Sequence, residues 1–576
     1  MNMKQVYITL IFALSTFICS AKEKIGADIP WTTYEAEKMK TSGTVLGPQY
    51  GPFMVETESS GQRCVKLNTK GQFVEFVASA MANSMVIRYS LPDNVKGEGT
   101  RASLGIYKNG KLIQQQKISS YYAWLYGNYP FSNDPSAGKP RNFYDETRIK
   151  EIEILKGDVI RIQRDDQKGD DADYCIIDFV DVEKIAAPLM APANSLSMMD
   201  KEFIDNNSSD DCTEALLKCI TKAGATGKTV WIPAGTYKIT RGVALPSNIT
   251  VQGAGMWHTI FVGHDSLYPE NTSNRVRFRG EGNNIHISDF ALIGKLNYRD
   301  DSEPNDGIVG SFGTNSTVSR LWIEHTKTGI WVENSKNLVV EGCRFRNTIA
   351  DGINFCIGMV ESTIQNCTAR GTGDDCFAMW PATFLRQDYK PGKNVITHCT
   401  AQLPFLANGA AIYGGESNRI EYCSFIDICP GSAILLSTTF PIADDLGKIN
   451  NTFSGITVVK NCYINTSGGF DHGWEWRAAV QICLDKRGIS GIEMSDLTIA
   501  NSFSDGLSII AVNEKDKVGI LSNAVLKNCK ISTYGLGVKG RHGLWISNNA
   551  HGNLTIIKSK ISEKKNDSKD FTIVNQ

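Results

Sequence analysis

From residue 283 onward the chain repeats one short pattern, and this repeat limits the fold more than any other feature. Strand-turn pairs recur as NNIHISDFALIG, NSTVSRLWIEH, KNLVVEGCRFRN, MVESTIQNCTARG, SNRIEYCSFIDI and GITVVKNCYINT. A second series lies between them: DGIVG at Asp306, TGIWV at Thr328, DGINF at Asp351, DDCFAM at Asp374, AAIYGG at Ala410 and DGLSII at Asp505. Asp306, Thr328, Asp351 and Asp374 follow one another at intervals of 22, 23 and 23 residues. Strands this short cannot fold alone, so a near-constant period means coils that bury one another. The pattern predicts a parallel β-helix over 200–576. Longer intervals place insertions at 381–394, 438–454, 467–477 and 513–517, which on stacked coils collect as the walls of a groove.

The first part has a different texture. Over 27–185, alternating runs such as Phe73–Val77 and Val159–Ile162 sit between turn signals and predict an antiparallel β-sandwich. A small-residue, proline-containing linker over 186–199 follows. The fold class is therefore all-β, a sandwich and then a parallel β-helix. The helical spacing after Asp210-Asp211, followed by a strand ending in Pro233-Ala234-Gly235-Thr236-Tyr237, resembles the start of right-handed parallel β-helices of the pectate-lyase-like group.

Lys plus Arg number 60 against 61 Asp plus Glu, a net charge of -1. No overall field steers the chain to nucleic acid or an anionic membrane, so a neutral partner and a monomer are expected. Lys4, the apolar run Val6–Ile18 and Cys19-Ser20-Ala21 have the order of a secretory signal over 1–21. Cleavage after Ala21 and a lipid anchor at Cys19 both stay open, giving a secreted, periplasmic or cell-surface protein. No later run has the length of an integral membrane segment. Cys343, Cys367, Cys399, Cys423, Cys462 and Cys529 share one motif position and read as stacked small interior residues.

The chemistry concentrates where Asp351-Gly352-Ile353-Asn354-Phe355 is followed one coil later by Arg370-Gly371-Thr372-Gly373-Asp374-Asp375. Asp351 and Asp374 are expected on adjacent strands with backbones about 4.8 Å apart, Asp375 beside them. Like charges at this range raise at least one pKa. That suits glycoside hydrolysis, where one carboxyl gives a proton and another activates water. Asp306 and Asp505, isolated in Asp-Gly turns, read as turn caps. Candidate sugar contacts are Asn354, Arg370, Trp331, Trp380, Tyr413, His472, Trp474 and Trp476, where aromatic faces and polar groups could line a groove.

DGINF followed by RGTGDDCFAMW resembles the catalytic signature of glycoside hydrolase family 87, the alpha-1,3-glucanases and mycodextranases. The resemblance implies a secreted, inverting, endo-acting enzyme on a neutral α-glucan (mutan or nigeran) needing no cofactor for catalysis, with Asp351, Asp374 and Asp375 as its acids. The RGTGDDCF segment departs slightly from the family's pattern without touching the acids. The sandwich resembles carbohydrate-binding modules of families 6 and 35 through Tyr34-Glu35-Ala36-Glu37 and Ile177-Asp178-Phe179-Val180. That likeness implies Glu35, Glu37 and Asp178 as ligands of a structural calcium. Hydrolysis or lytic cleavage of an acidic polymer, in the manner of polygalacturonases, and a non-catalytic glycan-binding adhesin are the alternatives. The first needs a Lys/Arg clamp, and the last would have no use for three acids.

Overall fold

The computed structural model describes residues 23–204, 211–263, 276–302, 304–440, 452–473 and 475–576. The secretory-signal reading over 1–21 lies outside these residues, as does Trp474.

Two antiparallel sheets, of six and five strands, form the sandwich between Trp31 and Glu183. Three parallel sheets of 14, 12 and 12 strands follow among the described residues, each coil giving one strand to each sheet. The first parallel strand, Ser195–Ser197, lies inside the stretch expected as linker. One helix, Thr213–Thr226, closes the open end of the first coil with Leu216, Cys219, Ile220 and Ala223 turned inward. Asp211 starts it by accepting from the Thr213 amide at 2.9 Å, and Gly227 ends it at φ 64°.

The period is enforced at the corners. One residue per coil takes a left-handed backbone immediately before each stacked cysteine: Gly342, Asn366, His398, Tyr422, Asn461 and Asn528, all with φ between 50° and 63°. A single such residue turns the chain sharply, and Gly and Asn reach that conformation most cheaply. The cysteines that follow point inward, and Cys367 Sγ faces the carbonyls of Val340 at 3.7 Å and Gln365 at 3.2 Å. All 14 described cysteines are free, the six at the repeat position among them.

Along the third sheet, Ile308, Ile330, Ile353, Phe377, Ala410 and Ile434 stack in register and are fully buried. Each large apolar member contributes about 1.5–3 kcal/mol. Strand alternation turns the next row outward: Val309, Trp331, Asn354, Ala378, Ala411, Leu435 and Gln481. This row is the floor on which the site is built.

The sandwich docks on the outer face of the second sheet through buried ion pairs. Arg344 makes a two-pronged pair with Glu183 at 2.7 and 2.8 Å. Arg148 lies over the rings of Trp257 and Trp322, 4.6 and 4.1 Å from their centroids. His325 meets Asp145 at 2.9 Å under the stacked ring of Tyr122.

Candidate active site

A polar ladder runs up the corner that precedes the third sheet. Asp306 accepts from the amide and hydroxyl of Thr328 at 3.1 and 2.8 Å, and Asp505 from the His542 amide at 2.6 Å. Both therefore cap the next coil's turn, as their isolation in the sequence suggested. Asp375 does the same to Asn408, whose amide and Nδ2 donate to Oδ1 at 3.1 and 2.7 Å. The register corrects one expectation: Ile353 pairs with Phe377, so the rung partner of Asp351 is Asp375, not Asp374. Asp374 sits one residue earlier and leans outward. Its turn requires Gly373, where a Cβ would come within 2.1 Å of the Ile349 carbonyl oxygen.

Asp351, Asp374 and Asp375 bring carboxylate oxygens within 4.8 Å of one another. Asp351 and Asp375 are buried, whereas 29% of the Asp374 side chain is exposed. Asn354 Nδ2 donates to Asp351 at 2.9 Å, and the Tyr413 hydroxyl to Asp375 at 2.8 Å. Burial, then the charges of Asp374 and Asp375, push the Asp351 carboxyl well above the usual carboxylate range. Burial and Asp374 push Asp375 up to about 7, against the bonds from Asn408 and Tyr413. All three leave adjoining corners of two stacked coils, which brings their nearest oxygens together.

Aromatic rings line one side. Trp331 and Trp380 meet edge to face at 5.7 Å, and Trp380 continues to Phe384 at 5.8 Å and Phe440 at 5.3 Å. Tyr413 touches Phe440 at 5.0 Å. The insertions beginning at 381 and 438 thus meet above the floor, with Phe384 59% exposed. Opposite them, Tyr129 of the sandwich approaches His472 at 5.8 Å, and the His472 ring faces the Leu406 carbonyl.

Other expected contacts lie elsewhere. Arg370 is buried between the two units, bonded to Glu146 and Asp181, because its strand belongs to the docking sheet rather than the groove. Trp476 packs edge-on against Phe470, which in turn meets Phe53 of the sandwich, so this tryptophan joins domains. The three acids expected as calcium ligands, Glu35, Glu37 and Asp178, lie in the sandwich. Asp178 carries Arg88 and the Ser60 amide, and Glu35 takes the Ser60 hydroxyl. Glu35 and Glu37 each keep a buried oxygen without a partner, and burial, then the charges of Asp178 and Glu37, push Glu35 up to about 8. Sequence reading missed Asn408, although Asn408-Gly409 repeats the polar-Gly step of Asp351-Gly352. It also missed Arg299, Tyr129, Phe384 and Phe440.

The family model described as Alpha-1,3-glucanase catalytic domain D1 matches residues 28–185, and that of catalytic domain D2 matches residues 203–555. The solved Agl-KA catalytic domain superposes with a TM-score of 0.84 at 24% identity, covering 97% of this chain and all of that one. A glycoside hydrolase family 87 alpha-1,3-glucanase catalytic domain in complex with tetrasaccharides gives 0.81 at 25% identity, covering 96% and 100%. The catalytic unit of a thermostable enzyme of that family from Streptomyces thermodiastaticus strain HF3-3 gives 0.77 at 26%, covering 96% and 97%. Among curated proteins, the pre-neck appendage protein of Bacillus phage B103 is 22% identical over 346 residues, 56% of this chain and 35% of that protein. The preneck appendage protein of Bacillus phage PZA is 28% identical over 170 residues, 28% of this chain and 19% of that protein. The chain thus spans about a fifth to a third of the length of these curated relatives.

Fold and family match together define the class, a sandwich and parallel β-helix of the alpha-1,3-glucanase catalytic-domain type. The chain belongs to the alpha-1,3-glucanase catalytic-domain family. That match describes the sandwich as part of the catalytic unit, where the sequence had suggested a carbohydrate-binding module.

Proposed function

We propose that this chain is an exported, inverting endo-hydrolase of a neutral α-glucan, alpha-1,3-glucan first and mixed alpha-1,3/1,4-glucan second. The observation that carries the reading is the gathering of Asp351, Asp374 and Asp375 on a floor walled by aromatic rings. Asp374 is the carboxyl that reaches solvent, so it serves as the acid that protonates the glycosidic oxygen. Asp351 and Asp375 share a rung behind it and activate the attacking water: Asp375, poised near 7, draws its proton while Asp351 beside it helps hold the water, whose oxygen takes the anomeric carbon as the bond to the leaving sugar breaks. Solved relatives in complex with nigerose and with tetrasaccharides support the choice of polymer. Trp331, Trp380, Phe384 and Phe440 offer apolar faces to sugar rings, which neutral rings need and a carboxylated polymer does not. Arg299, the cation bonded to the trio, is spent on Asp374 and is not free to clamp a uronate.

The test is turnover of alpha-1,3-glucan by the purified protein and by its Asp351→Asn, Asp374→Asn and Asp375→Asn variants. Each variant is expected to fold and to lose turnover. Near-normal activity in any of them removes that residue from the mechanism.

A further inference from the structure

Arg299 lies in the segment after the strand Ala291–Ile293, more than two coils before the acids, with 4% of its side chain exposed. Its Nη2 donates to Asp374 Oδ2 at 2.9 Å. Its Nη1 donates to the carbonyls of Ile349 at 2.8 Å and Gly373 at 3.0 Å. Those carbonyls belong to the two turns that deliver Asp351 and Asp374, so one guanidinium ties both turns together and holds the exposed acid as well. Its Nε is paired with Asp301 at 2.6 Å. The sandwich reaches the same group: the Tyr129 hydroxyl bonds to Asp301 and stands 3.5 Å from Arg299 Nη2, its ring 5.3 Å from the guanidinium.

We propose that Arg299 is the positioning residue of the carboxyl trio and that Tyr129 is the arm through which the N-terminal sandwich holds it in place. The inference rests on the trio reading above. A planar guanidinium has donors enough for two carbonyls and two carboxylates at once, which a lysine ammonium cannot reproduce in that geometry. Asp301, Asp351, Asp375, Tyr413, His472 and Lys327 also face this corner, and Arg299 is in direct contact with the trio. The Arg299 charge lowers the proton affinity of the buried Asp351, so removing it shifts that carboxyl further upward.

The experiment is the pH dependence of kcat and KM on alpha-1,3-glucan for Arg299→Met, Arg299→Lys and Tyr129→Phe, with Asp374→Asn alongside. Arg299→Met is expected to lose about 10- to 100-fold in kcat with little change in KM, and to move both limbs of its pH profile upward. Arg299→Lys keeps the charge and restores the limbs but not the full kcat. Tyr129→Phe changes kcat in the same direction by less. Should Arg299→Met fail to fold, the lysine variant with wild-type kcat overturns the proposal. A folded Arg299→Met with wild-type limbs also overturns it, because a merely structural arginine would leave them in place. An active Asp374→Asn sinks the trio reading itself; a dead Asp374→Asn beside an unshifted Arg299→Met sinks only this inference.

Discussion

Arg370 of the parallel β-helix donates to Glu146 of the sandwich from two nitrogens, Nε at 2.5 Å and Nη2 at 3.0 Å, and the same Nη2 also reaches Asp181 at 3.0 Å. Two carboxylates and a guanidinium are thus removed from water at the seam between the units. Burial works against the Glu146 carboxylate, but Arg370 and then Arg346 outweigh it and hold the carboxyl below its usual range.

Removing this cation strands two buried acids. Arg370→Met is expected to cost about 3–5 kcal/mol of stability, read as a fall in denaturant midpoint. KM for the glucan should stay near wild type in protein that remains folded, which separates this seam role from the sugar contact the sequence suggested.

The trio opposes folding. Asp351 and Asp375 have folded-state pKa values raised above those of the unfolded chain, so both are neutral at no cost below about pH 4 and increasingly penalised as pH rises past it. Asp351→Asn should therefore raise Tm at pH 7 by about 2 °C while abolishing turnover, and the gain should vanish toward pH 4. A Tm at pH 7 equal to or below wild type contradicts the assigned penalty.

Much of this was legible beforehand. The repeat pointed to the solenoid, because a left-handed corner residue recurs from coil to coil with an inward cysteine behind it in six of them, and the Asp-Gly steps marked the corner that carries the acids. What stayed hidden comes from contacts between distant segments. Arg299 has no motif, and Arg370 looked like a groove residue because its neighbours in sequence are the acids, although its strand faces the sandwich. The Asp374–Asp375 order misled by one position, since only strand register reveals which of two adjacent acids shares a rung with Asp351.

Phe384 projects from the groove wall with most of its ring in solvent. Phe384→Ala is expected to raise KM about three- to tenfold, in keeping with about 1 kcal/mol for an aromatic contact, with kcat and Tm nearly unchanged. Unaltered KM on oligomers of every length would take this ring out of substrate binding.

The stacked cysteines are interior thiols facing carbonyls of the coil. A reducing agent should leave Tm of the folded protein unmoved, as a differential scanning run with and without reductant would register.

The central claim is tested most directly by following the anomeric proton of the first products released from alpha-1,3-glucan oligosaccharides by nuclear magnetic resonance. The stereochemistry of the first product decides between inversion and retention. The account predicts that the β-anomer forms first and then mutarotates; initial release of the α-anomer, or no product at all, contradicts it.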